Sequence, residues 1–146
     1  MTPCTKTILC PVDFSPGSEA QLSYCSEMHA GKAEIIVLHV ANPEEGDRET
    51  LMKEYLHIFS RYSEALSSYH CRLRFALEYG NPSEVITAFA ESHDADLIVI
   101  GSHGSTGIKR LLVGSTAEKV MRRSACPVVV LKLPEPQAKA EAITAE

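Results

Sequence analysis

One run of residues narrows the possible folds of this chain more than any other. Residues 33–40 read Ala-Glu-Ile-Ile-Val-Leu-His-Val, an almost continuous series of apolar and mostly β-branched side chains. A strand of this composition is buried on both faces, which is typical of a parallel sheet covered by helices. The chain is therefore expected to form an α/β domain in which right-handed helical crossovers connect parallel strands.

Strand and helix patterns alternate along the rest of the chain, as such a fold requires. Apolar residues recur every three or four positions from Leu51 to Leu66, which predicts the clearest amphipathic helix. Residues 72–78 alternate apolar and polar side chains, which favours an edge strand. The predicted strands are 7–12, 33–40, 72–78, 97–100 and 128–131, and the predicted helices are 18–30, 50–69, one that begins at Pro82, and 117–123. Residues 1–132 then form one domain, and residues 133–146 are expected to be a disordered tail.

Two segments of the sequence fall where a ligand is expected to bind. In parallel α/β sheets that place is beyond the carboxyl ends of the strands, where the strand order reverses. Pro11, Val12 and Asp13 follow the first predicted strand, and a glycine-rich stretch begins at Gly101, after the fourth. If these two strands are neighbours, Asp13 and the glycine-rich stretch face one crevice.

The glycine-rich stretch has the features of a phosphate-binding loop. Residues 101–116 read Gly-Ser-His-Gly-Ser-Thr-Gly-Ile-Lys-Arg-Leu-Leu-Val-Gly-Ser-Thr and lead into a predicted helix. Glycine lets backbone N–H groups approach an anion closely, and a helix start adds unpaired N–H groups and a positive dipole end. Residues 101–123 carry five basic side chains and one acidic one, whereas the whole protein has a net charge of −5. Because a negatively charged protein is not expected to bind nucleic acid or membranes non-specifically, the loop is predicted to hold a small anion.

The spacing of the glycines identifies a family. It is neither the P-loop pattern nor the Rossmann Gly-x-Gly-x-x-Gly, but Gly-x2-Gly-x9-Gly-Ser, formed by Gly101, Gly104, Gly114 and Ser115. Pro-Val-Asp-Phe-Ser stands at residues 11–15 and His-Val at residues 39–40. Over about residues 5–132, this combination resembles the ATP-binding class of the universal stress protein family.

The resemblance implies a fold, a ligand and an assembly. The fold would be a single three-layer α/β domain, with a five-stranded parallel sheet in the order 3-2-1-4-5 and helices on both faces. The ligand would be ATP, with Mg²⁺ or Mn²⁺ on its phosphates. The assembly would be a homodimer that pairs the strand Val128–Leu131 of two copies.

The resemblance also assigns nucleotide contacts, in two groups. The adenine and ribose pocket would be lined by Pro11, Val12, Asp13, Val40, Ile100 and Gly101. The phosphates would be held by Gly104, Gly114, Ser115 and Thr116. Asp13 would be the polar contact to the nucleoside, and no residue is assigned a catalytic role or a direct bond to a metal.

Structural roles compete with these functional ones. Ser115 and Glu118 also fit a capping box, and Asp13 could be only a turn residue after a strand. His103 is expected to pack in the loop or to contact the nucleotide through its backbone, because no Ser/Cys–His–Asp set is visible around it. His39 is expected to be a core residue with its hydrogen bonds satisfied.

The sequence therefore favours an ATP-binding regulator or sensor in the stress response, with at most slow ATP hydrolysis. A second hypothesis is an ATP-consuming enzyme related to ATP pyrophosphatases. Their Ser-Gly-Gly-x-Asp-Ser loop would stand where this chain has Asp-Phe-Ser-Pro-Gly at residues 13–17. A third is a nucleotide-free dimeric scaffold, a class that typically lacks the glycines present here.

The cysteines and the apolar runs indicate the compartment. Five scattered cysteines without a Cys-x-x-Cys pair predict reduced thiols rather than a zinc site or a redox motif. No apolar run approaches the length of a membrane span, and the first residues lack the pattern of a signal peptide. We therefore expect a cytoplasmic protein.

Overall fold

The computed structural model describes residues 5–102 and 115–132. The predictions that concern His103, Gly104, Gly114 and the tail at 133–146 lie outside this part of the chain. The described strands are β1 (Lys6–Pro11), β2 (Ala33–Ala41), β3 (Arg72–Tyr79), β4 (Leu97–Gly101) and β5 (Val128–Leu131). The described α-helices are α1 (Gly17–Met28), α2 (Arg48–Ala65), α3 (Pro82–Ser92) and α4 (Ser115–Arg123).

The strands form one parallel sheet in the order β3-β2-β1-β4-β5. This confirms the predicted fold class and strand order. The apolar run that predicted a parallel sheet forms β2, which lies between β1 and β3 and is buried along most of its length. β3 is an edge strand of this sheet, as its alternating pattern predicted.

Helices cover both faces of the sheet. On the first face, Leu22 of α1 packs with Ile8 of β1, and side chains of α2 extend the same core. On the second face, Ile86 of α3 and Val120 of α4 pack with Leu9 of β1. Consecutive residues of β1 thus point into different cores, as the pleat of a strand requires. We call these the α1–α2 face and the α3–α4 face.

The bounds of α2 differ from the prediction at both ends. The helix begins at Arg48 because the side chain of Asp47 accepts a hydrogen bond from a backbone N–H of the first turn. It ends at Ala65 and is followed by a short 3₁₀ turn, Ser67–Tyr69. His70 then adopts a left-handed backbone conformation, with a φ of +63°, and this ends the helical turn. A further 3₁₀ turn that was not predicted, Pro43–Glu45, lies between β2 and α2.

The other helices also start or stop near the predicted residues. α1 ends at Met28 rather than at residue 30, since the chain then turns through Gly31 with a φ of +72°. α4 begins at Ser115, two residues earlier than predicted. Within the described residues, no helix has both the length and the apolar character needed to cross a membrane.

Candidate functional site

The candidate site is the crevice at the carboxyl ends of β1, β2 and β4. Strand order reverses here, because β1 lies between β2 and β4. β1 pairs with β4 only over Ile8 and Leu9, so the two strands part before β1 ends at Pro11. Proline has no N–H with which to extend the ladder. The segment of Asp13 and the segment that begins at Gly101 therefore follow neighbouring strands, as predicted.

Gln21 of α1 lies between the parted strands. Its amide nitrogen donates hydrogen bonds to the carbonyl oxygens of Pro11, at 2.7 Å, and of Val99, at 3.0 Å. In a continued parallel ladder, the Val99 carbonyl would accept from the N–H that Pro11 lacks. The Gln21 amide, which is 3% exposed, replaces that donor. Gln21 was not predicted, although its place one turn before Cys25 puts it on the inner side of α1.

Asp13 lies in the turn between β1 and α1, with an exposed side chain. Its Oδ1 accepts a hydrogen bond from the Ser15 N–H at 2.9 Å and one from the Ser18 hydroxyl at 3.4 Å. The turn role considered for Asp13 is therefore present. Its Oδ2 has no hydrogen-bond partner within the described part of the chain, so this oxygen can accept from a ligand.

Phe14 holds this turn in an unusual conformation. Its φ of +60° lies in the left-handed region, which is costly for a residue with a bulky side chain. Aromatic neighbours surround its ring: it stacks on Tyr55 at 4.8 Å between centroids and lies 5.7 Å from His39 and 5.8 Å from Phe75. We infer that these contacts offset the strain and fix the direction in which the turn presents Asp13.

His39 is a buried residue with a partner at each ring nitrogen, as expected of a satisfied core histidine. Nδ1 lies 3.1 Å from the carbonyl oxygen of Val12, and Nε2 lies 3.3 Å from Oε1 of Glu45. The Tyr55 hydroxyl donates to the same Glu45 oxygen at 3.1 Å. Burial and this hydrogen bond raise the pKa of Tyr55 to about 12, so the hydroxyl remains a donor at neutral pH.

Glu45 is the acceptor at the centre of this group. Burial tends to raise the pKa of Glu45, but hydrogen bonds from His39, from the backbone N–H of Asn42 and from Tyr55 outweigh it, and the pKa is lowered from its ordinary value. The carboxylate is therefore ionised at neutral pH. It joins the 3₁₀ turn after β2 to both β2 and α2.

Apolar side chains line the crevice on the α3–α4 face. Val40, near the end of β2, and Ile100 of β4 pack in the same cluster as Ala117 of α4. Pro11 is buried and, by the alternation of side chains along β1, points to this face. Val12 instead packs in the core of the α1–α2 face, so it reaches the crevice through its backbone rather than its side chain.

The predicted phosphate residues that the structure describes lie at the start of α4. Ser115 is exposed and Thr116 is half-buried, while Ala117 anchors the first turn of the helix on the sheet. Unpaired N–H groups and the positive end of the helix dipole are found at such a helix start. Gly101 ends β4 on the same edge of the sheet.

The capping box considered for Ser115 is not found among the described hydrogen bonds. α4 begins at Ser115 itself, which makes this residue part of the helix rather than the residue before it. The Glu118 carboxylate accepts from Arg122 at 2.8 Å, one turn further along. The acidic side chain is thus directed away from the helix start.

The remaining candidate groups have structural roles. No three His, Cys, Asp or Glu side chains within residues 5–102 and 115–132 come together as metal ligands. The four described cysteines are free, which agrees with the predicted reduced thiols. Cys10 and Cys25 are buried with their sulfurs 3.8 Å apart, and burial raises the pKa of Cys10, so it remains a neutral core thiol.

The model of the universal stress protein family matches residues 5–132, which include all described elements. The chain belongs to the universal stress protein family. This membership, the fold and the crevice at the strand ends agree with one another.

Universal stress proteins of Methanocaldococcus jannaschii are similar to this chain. Universal stress protein MJ0531 is 32% identical over 142 residues, which cover 89% of this chain and 84% of that protein. Universal stress protein MJ0577 is 30% identical over 153 residues, which cover 87% of this chain and 94% of that protein.

Solved structures of the family have the same fold. The structure of MJ0577 matches with a TM-score of 0.78 at 30% identity, covering 91% of this chain and 99% of its own. A universal stress protein in complex with cAMP matches with a TM-score of 0.73 at 20% identity, covering 90% of this chain and all of its own. At that lower identity the likeness concerns the fold.

Proposed function

We propose that this universal stress protein binds ATP in the crevice and acts as a nucleotide-dependent regulator in the stress response, with at most slow hydrolysis. The observation that carries the proposal is the meeting of three features at one edge of the sheet. These are the apolar slot of Val40 and Ile100, the Oδ2 of Asp13 and the start of α4 at Ser115. They suit a base, ribose hydroxyls and phosphates, respectively. The protein would act in the cytoplasm, where its free cysteines stay reduced.

The backbone of Val40 supports an adenine ligand. The β1–β2 ladder ends with the hydrogen bond from the Val12 N–H to the Leu38 carbonyl, at 2.9 Å. By the alternation of a parallel ladder, the Val40 N–H and C=O also point towards the β1 side. The next rung, from the Val40 N–H to the Val12 carbonyl, is not among the described backbone hydrogen bonds. A free N–H and C=O on one residue match the N1 acceptor and the 6-amino donor of adenine.

The phosphates are proposed to lie over the start of α4. Ser115 and Thr116 would offer N–H and hydroxyl donors, and Gly104 and Gly114, which lie outside the described residues, would also contact the phosphates. Mg²⁺ or Mn²⁺ would be held mainly by the phosphate oxygens, because the described residues contain no group of three metal-ligating side chains. The related fold that has been crystallised with cAMP supports an adenine nucleotide as the ligand class.

Thermal unfolding with and without Mg-ATP tests this proposal. ATP at 100 times its Kd should add about 2.7 kcal/mol of stability, which raises the Tm by roughly 5–10 °C in a domain of this size. Asp13→Asn is the matched control, since the amide keeps an acceptor for Ser15 but loses the charged oxygen that faces the crevice. A lost charged hydrogen bond costs about 1.5–3 kcal/mol, so most of the shift should vanish in this variant.

The same assay can also contradict the proposal. A wild-type protein whose Tm does not move at millimolar Mg-ATP does not bind ATP in this way. Mass spectrometry of the ligand released from purified protein then distinguishes ATP from other nucleotides, and finding none would favour the nucleotide-free scaffold.

An ATP-consuming enzyme is the second candidate, and turnover distinguishes it from a regulator. Typical enzymes turn over at roughly 1–1000 per second. We expect this protein to release phosphate at less than about one per minute, far below that range. Sustained release at enzymatic rates would replace the regulator hypothesis.

We also propose a homodimer in which β5 pairs with its copy. β5 is an edge strand of the described sheet, and its four residues are half-buried. The Ile98 N–H donates to the Pro127 carbonyl at 3.0 Å, so alternate residues of β5 pair with β4. The N–H and C=O of Val128 and Val130 therefore face away from β4. Such an edge with apolar side chains favours pairing with another strand.

A further inference from the structure

The hydrogen bonds of His39 explain why the β1–β2 ladder stops where it does. The Val12 carbonyl would accept from the Val40 N–H if the ladder continued by one rung. Nδ1 of His39 lies 3.1 Å from that carbonyl oxygen. A carbonyl oxygen only accepts, so Nδ1 must be the donor in this contact. The imidazole thus occupies one lone pair of the oxygen with which the Val40 N–H would otherwise pair, and the described backbone hydrogen bonds include none between Val40 and Val12.

The other nitrogen of the His39 ring, Nε2, also has a hydrogen-bond partner. Nε2 lies 3.3 Å from the Glu45 carboxylate, which also accepts from the Tyr55 hydroxyl at 3.1 Å. The ring centroid lies 4.4 Å from that of Tyr55 and 5.7 Å from that of Phe14. The His39 side chain is only 7% exposed. The ring thus has an acceptor beside each nitrogen, and no rotation of the ring keeps both contacts.

We propose that His39 is a positioning residue that sets the base specificity of the nucleotide site. By holding the Val12 carbonyl, it keeps the Val40 N–H available to read the purine ring. This inference rests on the proposed binding of ATP in the crevice. It assigns to His39 a role beyond that of a satisfied core residue, because the bond it makes decides which backbone group faces the ligand.

The chemistry of the base gives this role a measurable consequence. Adenine presents an acceptor at N1, which a backbone N–H satisfies. Hypoxanthine, the base of ITP, carries a hydrogen at N1 and an oxygen at C6, so it sets a donor against the Val40 N–H. The wild-type protein should therefore prefer ATP to ITP, and the preference should depend on the free Val40 N–H.

Three substitutions of His39 distinguish its contact with the Val12 carbonyl from its contact with the Glu45 carboxylate. In His39→Asn, the side-chain amide reaches about where Nδ1 lies and keeps a donor for the Val12 carbonyl. In His39→Gln, the longer side chain carries its amide towards Glu45 instead. His39→Leu keeps neither contact. The Asn and Gln variants are both polar and differ only in reach, so their comparison still tests the proposal if the Leu variant fails to fold.

Amide hydrogen exchange of the nucleotide-free protein tests the structural step. The Val40 N–H should exchange quickly in the wild type and in His39→Asn. In His39→Gln and His39→Leu the released Val12 carbonyl should pair with it, and exchange should slow by about tenfold. Equal exchange of Val40 in all four proteins, or a protected Val40 N–H in the wild type, would overturn the role of His39.

Affinities for Mg-ATP and Mg-ITP test the functional step. The ratio of the two Kd values should be kept in His39→Asn and should fall by about tenfold in His39→Gln and His39→Leu. A purely structural role would weaken both nucleotides alike and leave the ratio unchanged, and that result would overturn the inference. If the wild type binds neither nucleotide, the ATP proposal fails and the specificity role fails with it. Unchanged Val40 exchange, in contrast, removes only the role of His39.

Discussion

Two buried side chains bond to backbone carbonyl groups at the ends of the strands. Gln21 supplies the donor that Pro11 lacks, and His39 takes the carbonyl of Val12. Both side chains are almost fully buried. Each side chain therefore lies at the end of one of the two ladders of β1, at the strand ends where the candidate site is placed.

Replacing Gln21 tests its part in this arrangement. Gln21→Leu keeps the volume of the side chain but leaves the buried carbonyls of Pro11 and Val99 without their described donor. We expect the free energy of unfolding to fall by about 2–4 kcal/mol, measured by urea denaturation. Glu27→Leu, on the exposed side of the same helix, should stay within about 0.5 kcal/mol of the wild type. Equal effects of the two substitutions would show that the Gln21 bonds contribute little.

The short turn Pro43–Glu45 ties β2 to α2 through one carboxylate. Asn42 caps the turn, and Glu45 accepts hydrogen bonds from the Asn42 N–H, from His39 and from Tyr55. These bonds require an ionised carboxylate at neutral pH, which the lowered pKa of Glu45 provides. The turn is therefore an element whose contribution to stability depends on pH.

Glu45→Gln makes this dependence measurable. A carboxyl group whose pKa is lowered by folding stabilises the folded state above its unfolded pKa, and this contribution is lost as the pH falls through the folded pKa. The wild type should therefore be more stable than Glu45→Gln at pH 6. The difference should shrink as the pH is lowered below 4.5, the ordinary value for glutamate. A difference that stays constant from pH 6 to pH 3 would mean that ionisation of Glu45 does not matter.

The assembly of the whole molecule is proposed to depend on the free edge of β5. Val130 directs its N–H away from β4, whereas Val129 directs its N–H into the β4–β5 ladder. Proline at each position removes one of these N–H groups. Val130→Pro should give a folded monomer in sedimentation velocity, while Val129→Pro should lower the Tm because it breaks the ladder.

Two results would contradict this assembly. One is a dimer of undiminished affinity formed by Val130→Pro. The other is a wild-type protein that stays monomeric at high concentration. Nucleotide affinity serves as the internal check, because the crevice lies at the strand ends rather than along the β5 edge, so Val130→Pro should bind Mg-ATP as the wild type does.

The sheet and the place of the candidate site could be predicted from local patterns. The apolar run of β2, the alternating residues of β3 and the turn residues after β1 are all read along the chain, because burial on one or both faces dictates their periodicity. The strand order came from the family resemblance and is confirmed by the pairing of β1 with β2 and β4.

The hydrogen-bond partners of the buried polar side chains could not be predicted from local sequence patterns. Gln21 contacts Val99, and His39 contacts Val12, across 78 and 27 positions of the chain. The left-handed backbone of Phe14 likewise depends on Tyr55 and Phe75, which belong to other elements. Periodicity reports how deeply a side chain is buried, but a hydrogen bond or a ring contact also needs the atom it meets. Only packing the elements together decides which atom that is, and so which backbone groups are left to face a ligand.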